Sequence, residues 1–481
     1  MNPRLQCVFS RCTAWLLVWA LVCLGAGCGV GQDGTGAAPD TQATGVVTGF
    51  GSVIVDGIPF DISGAEIAID GTTGGTQADL RVGMVVTVSG TLAADGNSGS
   101  ATGVAYESLL RGTLDSLPDG TTLFVLGQRI NVDATTLFEG TGVVSAADLQ
   151  PGVRLQLSGF HQADGFRATW VRVEAGAVTP QLSGFVAAVN LNANVVRLAG
   201  LDVNIGNAEL VGVARNALAA GQLVRVTLQN APSSGTAVAT QLRLLGDGLL
   251  GPLRRLLLHG LVSQWNPTTG TFVINRQLVQ LQTATPIDGG TFGDIGPGAR
   301  VRVIGSRGAD GVLVADRVHV YRPAIDGYVR GRVSQVDLAA RQITLSVAPG
   351  VQIQVLPGTV LSDLTFAGGG LTLADLRPND ALLALGWINT AGQIDAGLVQ
   401  RVPLLPPGAG IGGPVAAIGT DMFTILGRLV TTTNTTQFFS AQGQAQTAAA
   451  FFAALQPGDL VRAEGVLNSA ALAASSVRRV P

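Results

Sequence analysis

Asp375-Leu376-Arg377-Pro378-Asn379-Asp380 is a turn that this chain uses six times. Its other versions are Asp79-Leu80-Arg81-Val82-Gly83, Asp148-Leu149-Gln150-Pro151-Gly152, Leu218-Ala219-Ala220-Gly221, Asp294-Ile295-Gly296-Pro297-Gly298 and Leu455-Gln456-Pro457-Gly458-Asp459. Seven residues past the turn position a second glycine recurs, at Gly90, Gly159, Gly305, Gly386 and Gly465; the third copy alone departs, with Leu228. Between the two marks apolar and polar residues alternate, as in Val86-Thr87-Val88-Ser89, the pattern of a half-buried strand launched by a turn. A fixed repeat of this kind divides the chain into modules.

Working outward from the turn, each module opens on a glycine-marked strand: Gly45-Val46-Val47, Gly112-Thr113-Leu114, Gly184-Phe185-Val186, Gly260-Leu261-Val262, Gly331-Arg332-Val333 and Gly413-Pro414-Val415. A second strand such as Ser52-Val53-Ile54-Val55 turns at Asp56-Gly57, Gly127-Gln128 or Asn275-Arg276 into a third. The recurrent turn then carries a short helix, which the Asp of four copies is expected to start as a cap. In the last module Ala448, Phe451, Phe452 and Leu455 form a longer apolar helical face. Two more strands follow, joined by Asp-Gly or similar hairpins. This order predicts a mainly β chain, a tandem array of six small OB-like five-stranded barrels, each with a short helix or turn between strands 3 and 4. The expected repeats are 45–108, 109–177, 178–248, 249–324, 325–406 and 407–481. Propeller blades lack the helix and close about an axis, and an immunoglobulin-like string needs more strands per domain; both fit less well.

Composition supports short strands and tight turns. Charged residues are 13%, about half the usual share, while Gly is 66 of 481. Every basic residue apart from the histidines is Arg, with no Lys. A formal net charge of -3 gives no electrostatic footprint for nucleic acid. Cys7, Cys12, Cys23 and Cys28 all precede the repeats, so the repeats contain no disulfide, thiolate metal site or cysteine nucleophile. Modules of this size without staples depend on their apolar cores and on contact with neighbours.

The first 28 residues carry Arg4 and Arg11, then the apolar run Ala14 to Leu24, too short to span a bilayer. Gly25-Ala26-Gly27-Cys28 resembles the bacterial lipoprotein signal, in which small residues precede a cysteine that is acylated and becomes the new N-terminus. The match departs at Gly25, where that family prefers Leu, and Leu24 stands one step earlier. The resemblance implies lipidation of Cys28 and anchoring on a membrane surface. Gly29 in place of an inner-membrane-retention aspartate implies the outer membrane of a Gram-negative cell, facing periplasm or surface. Residues 29–44 lack apolar periodicity and read as a flexible tether. The chain from 45 to 481 also resembles a family of bacterial repeat domains of unknown function, common in exported lipoproteins. It shares their Gly-x-Val openings, Asp-Leu-x-Pro-Gly-Asp turns and Val-x-Val-x-Gly strands. These motifs specify a fold, not an activity.

No catalytic, cofactor or metal constellation stands out. His161, His259 and His319 are not at ligand spacing and read as ordinary packing or surface residues. The Asp-Gly steps, Asp56-Gly57 and Asp70-Gly71 among them, lack the closing Glu of a calcium loop and read as hairpin turns. Gly408-Ala409-Gly410-Ile411-Gly412-Gly413 reads as a linker, not a phosphate cradle. Trp170, Trp265 and Trp387 fall in different modules, which favours packing over a shared binding platform. The expected function is a non-enzymatic lipoprotein acting as a spacer or a protein- or envelope-binding scaffold. The alternative is a glycan- or small-ligand-binding lipoprotein using the barrel faces, with Trp387 and Trp170 as its contacts.

Overall fold

The computed structural model describes residues 41–481 except 144, 163, 247–254, 309, 323–324, 366–370, 404–407, 442 and 481. Cys28 and the leader lie outside the described residues. Among those described, no helix is long and apolar enough to cross a membrane.

The alternation seen in the sequence is realised as two-faced strands. Along Arg300–Arg307, Val301 and Val303 are buried in one core while Arg300 and Arg302 project from the opposite face. In the second repeat Leu110–Asp119 pairs antiparallel with Thr122–Val125, which pairs with Gln128–Asn131. Gln128–Asn131 meets Gly165–Val173 in parallel at Ile130 and Phe166; that strand pairs with Arg154–Gln162, which returns to Leu110–Asp119. The result is a small closed five-stranded barrel, and several such barrels make up the chain.

The barrels are not six separate bodies. The strands join into three extended sheets of 13, 12 and 12 strands. The cause is the opening strand of each repeat, which is long enough to serve its own barrel and a neighbour's. Residues 41–44 of the first repeat pair in parallel with residues 255–258 of the fourth. Leu110 and Arg111 pair with Leu182 and Gln181, joining the second repeat to the third. Tyr328, Val329 and Arg330 pair with Gly412, Ile411 and Gly410, joining the fifth to the sixth. Apolar cores merge accordingly: one runs from Leu109 to Leu242 through the second and third repeats, another from Val329 to Val477 through the fifth and sixth. The first repeat is the hub. Its core takes in Trp170 of the second repeat, Leu257 and Ile304 of the fourth, and Tyr328, Leu385 and Leu398 of the fifth.

Four local expectations are corrected. The first strand is Thr41–Gly49, so the last four residues assigned to the tether are sheet, paired on both sides. The supposed linker Gly408 to Gly413 is mostly strand, Ala409–Ile418, held between the fifth repeat and Leu460–Leu467. A short extra strand, Leu137–Glu139 in the second repeat and Glu209–Val211 in the third, pairs in parallel with the final strand before the helical turn. The helix therefore does not follow strand three directly.

The recurrent Asp also closes the helical turn instead of starting it. Thr372 is the cap, and its backbone N–H and hydroxyl both donate to Asp375 Oδ2, at 2.8 and 2.5 Å. Thr76 with Asp79, Ser145 with Asp148 and Thr291 with Asp294 repeat the arrangement. The sequence signal is Ser/Thr-x-x-Asp, a capping box. The last repeat keeps its full helix, Ala448–Ala454, with Phe451 buried as its periodicity predicts.

The second glycine mark is a β-bulge. Strand register slips at Gly90, Gly159, Gly305, Gly386 and Gly465. A Cβ at Gly159 would collide with the Arg167 carbonyl oxygen across the ladder, which is why the position is glycine. In the third repeat the slip persists at Leu228 without it.

Candidate functional site

Polar chemistry gathers at the seams between repeats. The Asp56-Gly57 hairpin of the first repeat adopts left-handed backbone, φ 49° and 81°, and its tip abuts Pro357 of the fifth. Asp56 Oδ1 accepts from Val46 N at 3.3 Å and from His259 Nδ1 of the fourth repeat at 2.6 Å. Arg300 Nε donates to His259 Nε2 at 2.7 Å. An arginine can only donate, so Nε2 must be an acceptor; the imidazole proton sits on Nδ1 and the ring is neutral. Burial pushes the His259 pKa down to about 4, with Asp56 opposing and Arg300 and Arg302 adding to the fall.

Rings enclose this relay. Tyr321 stacks on His259 at 4.8 Å with 11° between planes, and Phe160 of the second repeat lies 4.7 Å away. The Arg300 guanidinium lies 4.6 Å from the Tyr321 ring centre, and His319 meets Tyr321 edge-on at 4.6 Å. The structure thus brings together two of the three histidines, both against the Tyr321 ring. Arg302 donates to the Asp56 carbonyl. An Asp–His pair is the geometry that orients a general base, but here the nitrogen that would take a nucleophile's proton is occupied by Arg300. The arrangement therefore performs an interlock between repeats.

Other seams use arginine in the same way. Arg225 of the third repeat is buried, with Nη1 3.1 Å from Asp70 Oδ1, Nη2 2.8 Å from the Asp70 carbonyl, and Glu107 as a further partner. Ser108 fixes the same carboxylate through N at 2.7 Å and Oγ at 2.8 Å. Arg255 reaches the carbonyls of Ala93 and Ala94, both at 3.1 Å, and Arg428 those of Val347 and Ser346 at 2.7 and 3.2 Å. A planar fork of five donors can hold two acceptors on a neighbouring repeat at once, a task for which an ammonium is poorly shaped. The absence of Lys from the sequence is consistent with this use.

Beside the Asp56–His259 interlock lies a cleft of about 880 Å³, walled by the first, second, fourth and fifth repeats. Arg167, Arg300, Arg302, Arg317, Arg322 and Arg341 line it, against three carboxylates, Asp133, Asp288 and Asp395. Trp387 is on its wall, with the indole N–H on the Arg322 carbonyl at 3.1 Å. Trp170 is not available to a ligand: it is 2% exposed, packed on Tyr106 and bonded to Glu139. Trp265 packs on Phe272 and Phe292 elsewhere in the fourth repeat. Among the described residues no group of His, Cys, Asp and Glu is arranged to hold a metal.

The model of the family described as "Domain of unknown function (DUF5666)" matches residues 44–104, 111–172, 259–319 and 412–478, a little over half of the chain. The chain belongs to the DUF5666 family. The matched segments are the first, second, fourth and sixth repeats; the two repeats outside the match are the one with Leu228 for glycine and the one with the 12-residue strand Gln352–Asp363. No curated protein matches the chain.

Sequence reasoning named Asp56 and His259 without joining them, and missed seam residues such as Arg225 and Arg428. One signal pointed to the seams. The position before the first-strand glycine is polar in five repeats, Thr44, Arg111, Ser183, His259 and Arg330. Four of these bond across a seam: Arg111 lies 3.7 Å from Asp70, Ser183 Oγ donates to the Ser108 carbonyl at 2.8 Å, His259 meets Asp56, and Arg330 lies 3.8 Å from Glu464.

Proposed function

We propose that this chain is a non-enzymatic, lipid-anchored scaffold of the outer membrane, a rigid spacer and docking body for an envelope protein. The observation that carries the reading is the parallel ladder between residues 41–44 and 255–258, which ties the first repeat to the fourth across two intervening repeats. A chain built to flex as beads has no use for such a tie. The reading takes all six repeats as one ring plan, two rings per sheet. It is supported by parallel return pairings at Phe60 with Gly99, Ile130 with Phe166, Asp202 with Thr236, Val279 with Leu313, Ile353 with Ile394 and Leu429 with Ala471. Acylated Cys28 would hold this body at the lipid surface through its N-terminal hub repeat.

The test is expression in a Gram-negative cell with and without Cys28→Ser. The reading expects the wild-type chain in the outer-membrane fraction and the variant in the soluble periplasm. A lysine-free chain offers no side-chain amines, so partners must be sought with carboxylate-directed or photoactivated cross-linkers. Equal fractionation of both forms, or recovery of no recurrent cross-linked protein, would count against it.

A second reading, glycan or small-ligand binding, is favoured by one observation: Trp387 stands on the wall of the cleft. Retention on a saccharide array, lost in Trp387→Ala, would support it.

A further inference from the structure

The cleft at the junction of the first, second, fourth and fifth repeats carries more positive charge than its own partners neutralise. Six arginines face three aspartates around about 880 Å³, a volume suited to a small organic molecule. The pairings leave donors over. Arg300 spends Nε on His259, Arg322 spends Nε on the Gly289 carbonyl at 3.3 Å, and Arg341 spends Nε on the Val355 carbonyl at 3.1 Å. Arg317 meets Asp288 at a loose 3.8 Å, both side chains about half exposed. Arg167 pairs with Asp133 and lies near enough to Arg300 to add to the burial that disfavours the Arg300 charge. Converging guanidiniums in a partly dehydrated space repel one another unless an anion joins them.

A second observation points the same way. Tyr321 lines the cleft, is only 8% exposed, and its hydroxyl makes no hydrogen bond among the described residues. A buried hydroxyl without a partner is a costly feature. Its pKa is pushed up to about 12 by burial and by Asp56, so it stays a donor across the physiological range.

We propose that this cleft binds a small organic polyanion, bearing two or more carboxylate or phosphate groups, through the free guanidinium donors of Arg300, Arg302, Arg317 and Arg322 and the Tyr321 hydroxyl. Planar guanidiniums take such oxyanions bidentately, which gives selectivity over neutral ligands of equal size. The inference goes beyond the scaffold reading and does not depend on anchoring. It supplies a ligand class for the second reading while resting on different residues from Trp387, so the two can fail separately.

Titration calorimetry on the full mature chain, with citrate as carboxylate probe, pyrophosphate as phosphate probe and glucose as neutral probe, tests it. At least one anion should bind at a single site and glucose should not; which anion binds decides the source. Arg317→Gln and Arg322→Gln remove exposed arginines and should each weaken that binding about tenfold. Tyr321→Phe removes a hydroxyl that holds nothing in the fold and should weaken it severalfold with no loss of thermal stability. Arg197→Gln, an exposed arginine outside the cleft, should change nothing. Failure of both anions to bind, binding of glucose as tight as that of the anions, or an equal loss in Arg197→Gln would overturn the proposal.

Discussion

Acidification should destabilise this protein through its histidines before its carboxylates. His161, His259 and His319 each have a pKa pushed from 6.5 down to about 4, in every case chiefly by burial. The unfolded chain therefore binds more protons than the folded one between those values, and stability falls as pH drops from about 6.5 towards 4. For His259, which is fully buried, the drop of 6.5 to about 4 is worth about 3 kcal/mol at one unit per 1.36 kcal/mol. At pH 5.5 each histidine should take up about 0.9 proton on unfolding, or about 2.6 for the three. The groups around His259 do not cancel this. Tyr321 stays protonated, and the capping aspartates, held below their ordinary values by hydrogen bonds from their threonines, respond only at lower pH. Glu107 works with the opposite sign, because burial raises its pKa and acid favours its folded form. The assay is the proton uptake recorded by a pH electrode when the protein is transferred at pH 5.5 into unbuffered guanidinium. His259→Gln should lower the uptake by about 0.9 proton. Uptake near zero in the wild type would mean the histidines are not held neutral, and the interlock described here would be wrong.

Three substitutions probe other links. Gly159→Ala, which drives a methyl into the Arg167 carbonyl, should cost about 3 kcal/mol, whereas Gly120→Ala, with nothing near it, should change stability by less than about 0.5 kcal/mol; denaturant melts of the two decide this. Arg225→Ala leaves Asp70 with only the looser Arg111 contact and strips half-buried Glu107 of its nearest cation, and should cost about 3 kcal/mol in the same assay. Thr372→Ala removes the cap hydroxyl, should cost about 1 kcal/mol, and should bring the Asp375 pKa back towards its ordinary value when followed by carbonyl NMR.

What the sequence revealed and what it hid follow from range. The turn at Asp375 and the helix with Phe451 are fixed by neighbouring residues, and local patterns display them; the mark at Gly159 is visible too, but not its bulge, which depends on Arg167 across the ladder. Even there the cap was misread, because Asp at the third helical position and Asp as the cap look alike unless Thr372 three residues earlier is noticed. The union of barrels was hidden because residues 41–44 and their partners 255–258 carry no mark of each other; a parallel ladder needs only extended backbone. Asp56 and His259 were each seen and each assigned a local role, a hairpin turn and a packing residue. Both assignments were sound as far as they went. Their meeting depends on how whole repeats dock, which periodicity does not encode.

The repeats form one interlocked body, joined at residues 41–44 with 255–258 and at the Asp56–His259 contact. Small-angle scattering of the mature chain in detergent-free form, with Cys28→Ser, measures this directly. Residues 41–481 as a single compact unit should give a radius of gyration of about 22 Å, slightly more with the N-terminal segment attached. A value above about 35 Å, as six linked and independently moving barrels would give, would contradict it.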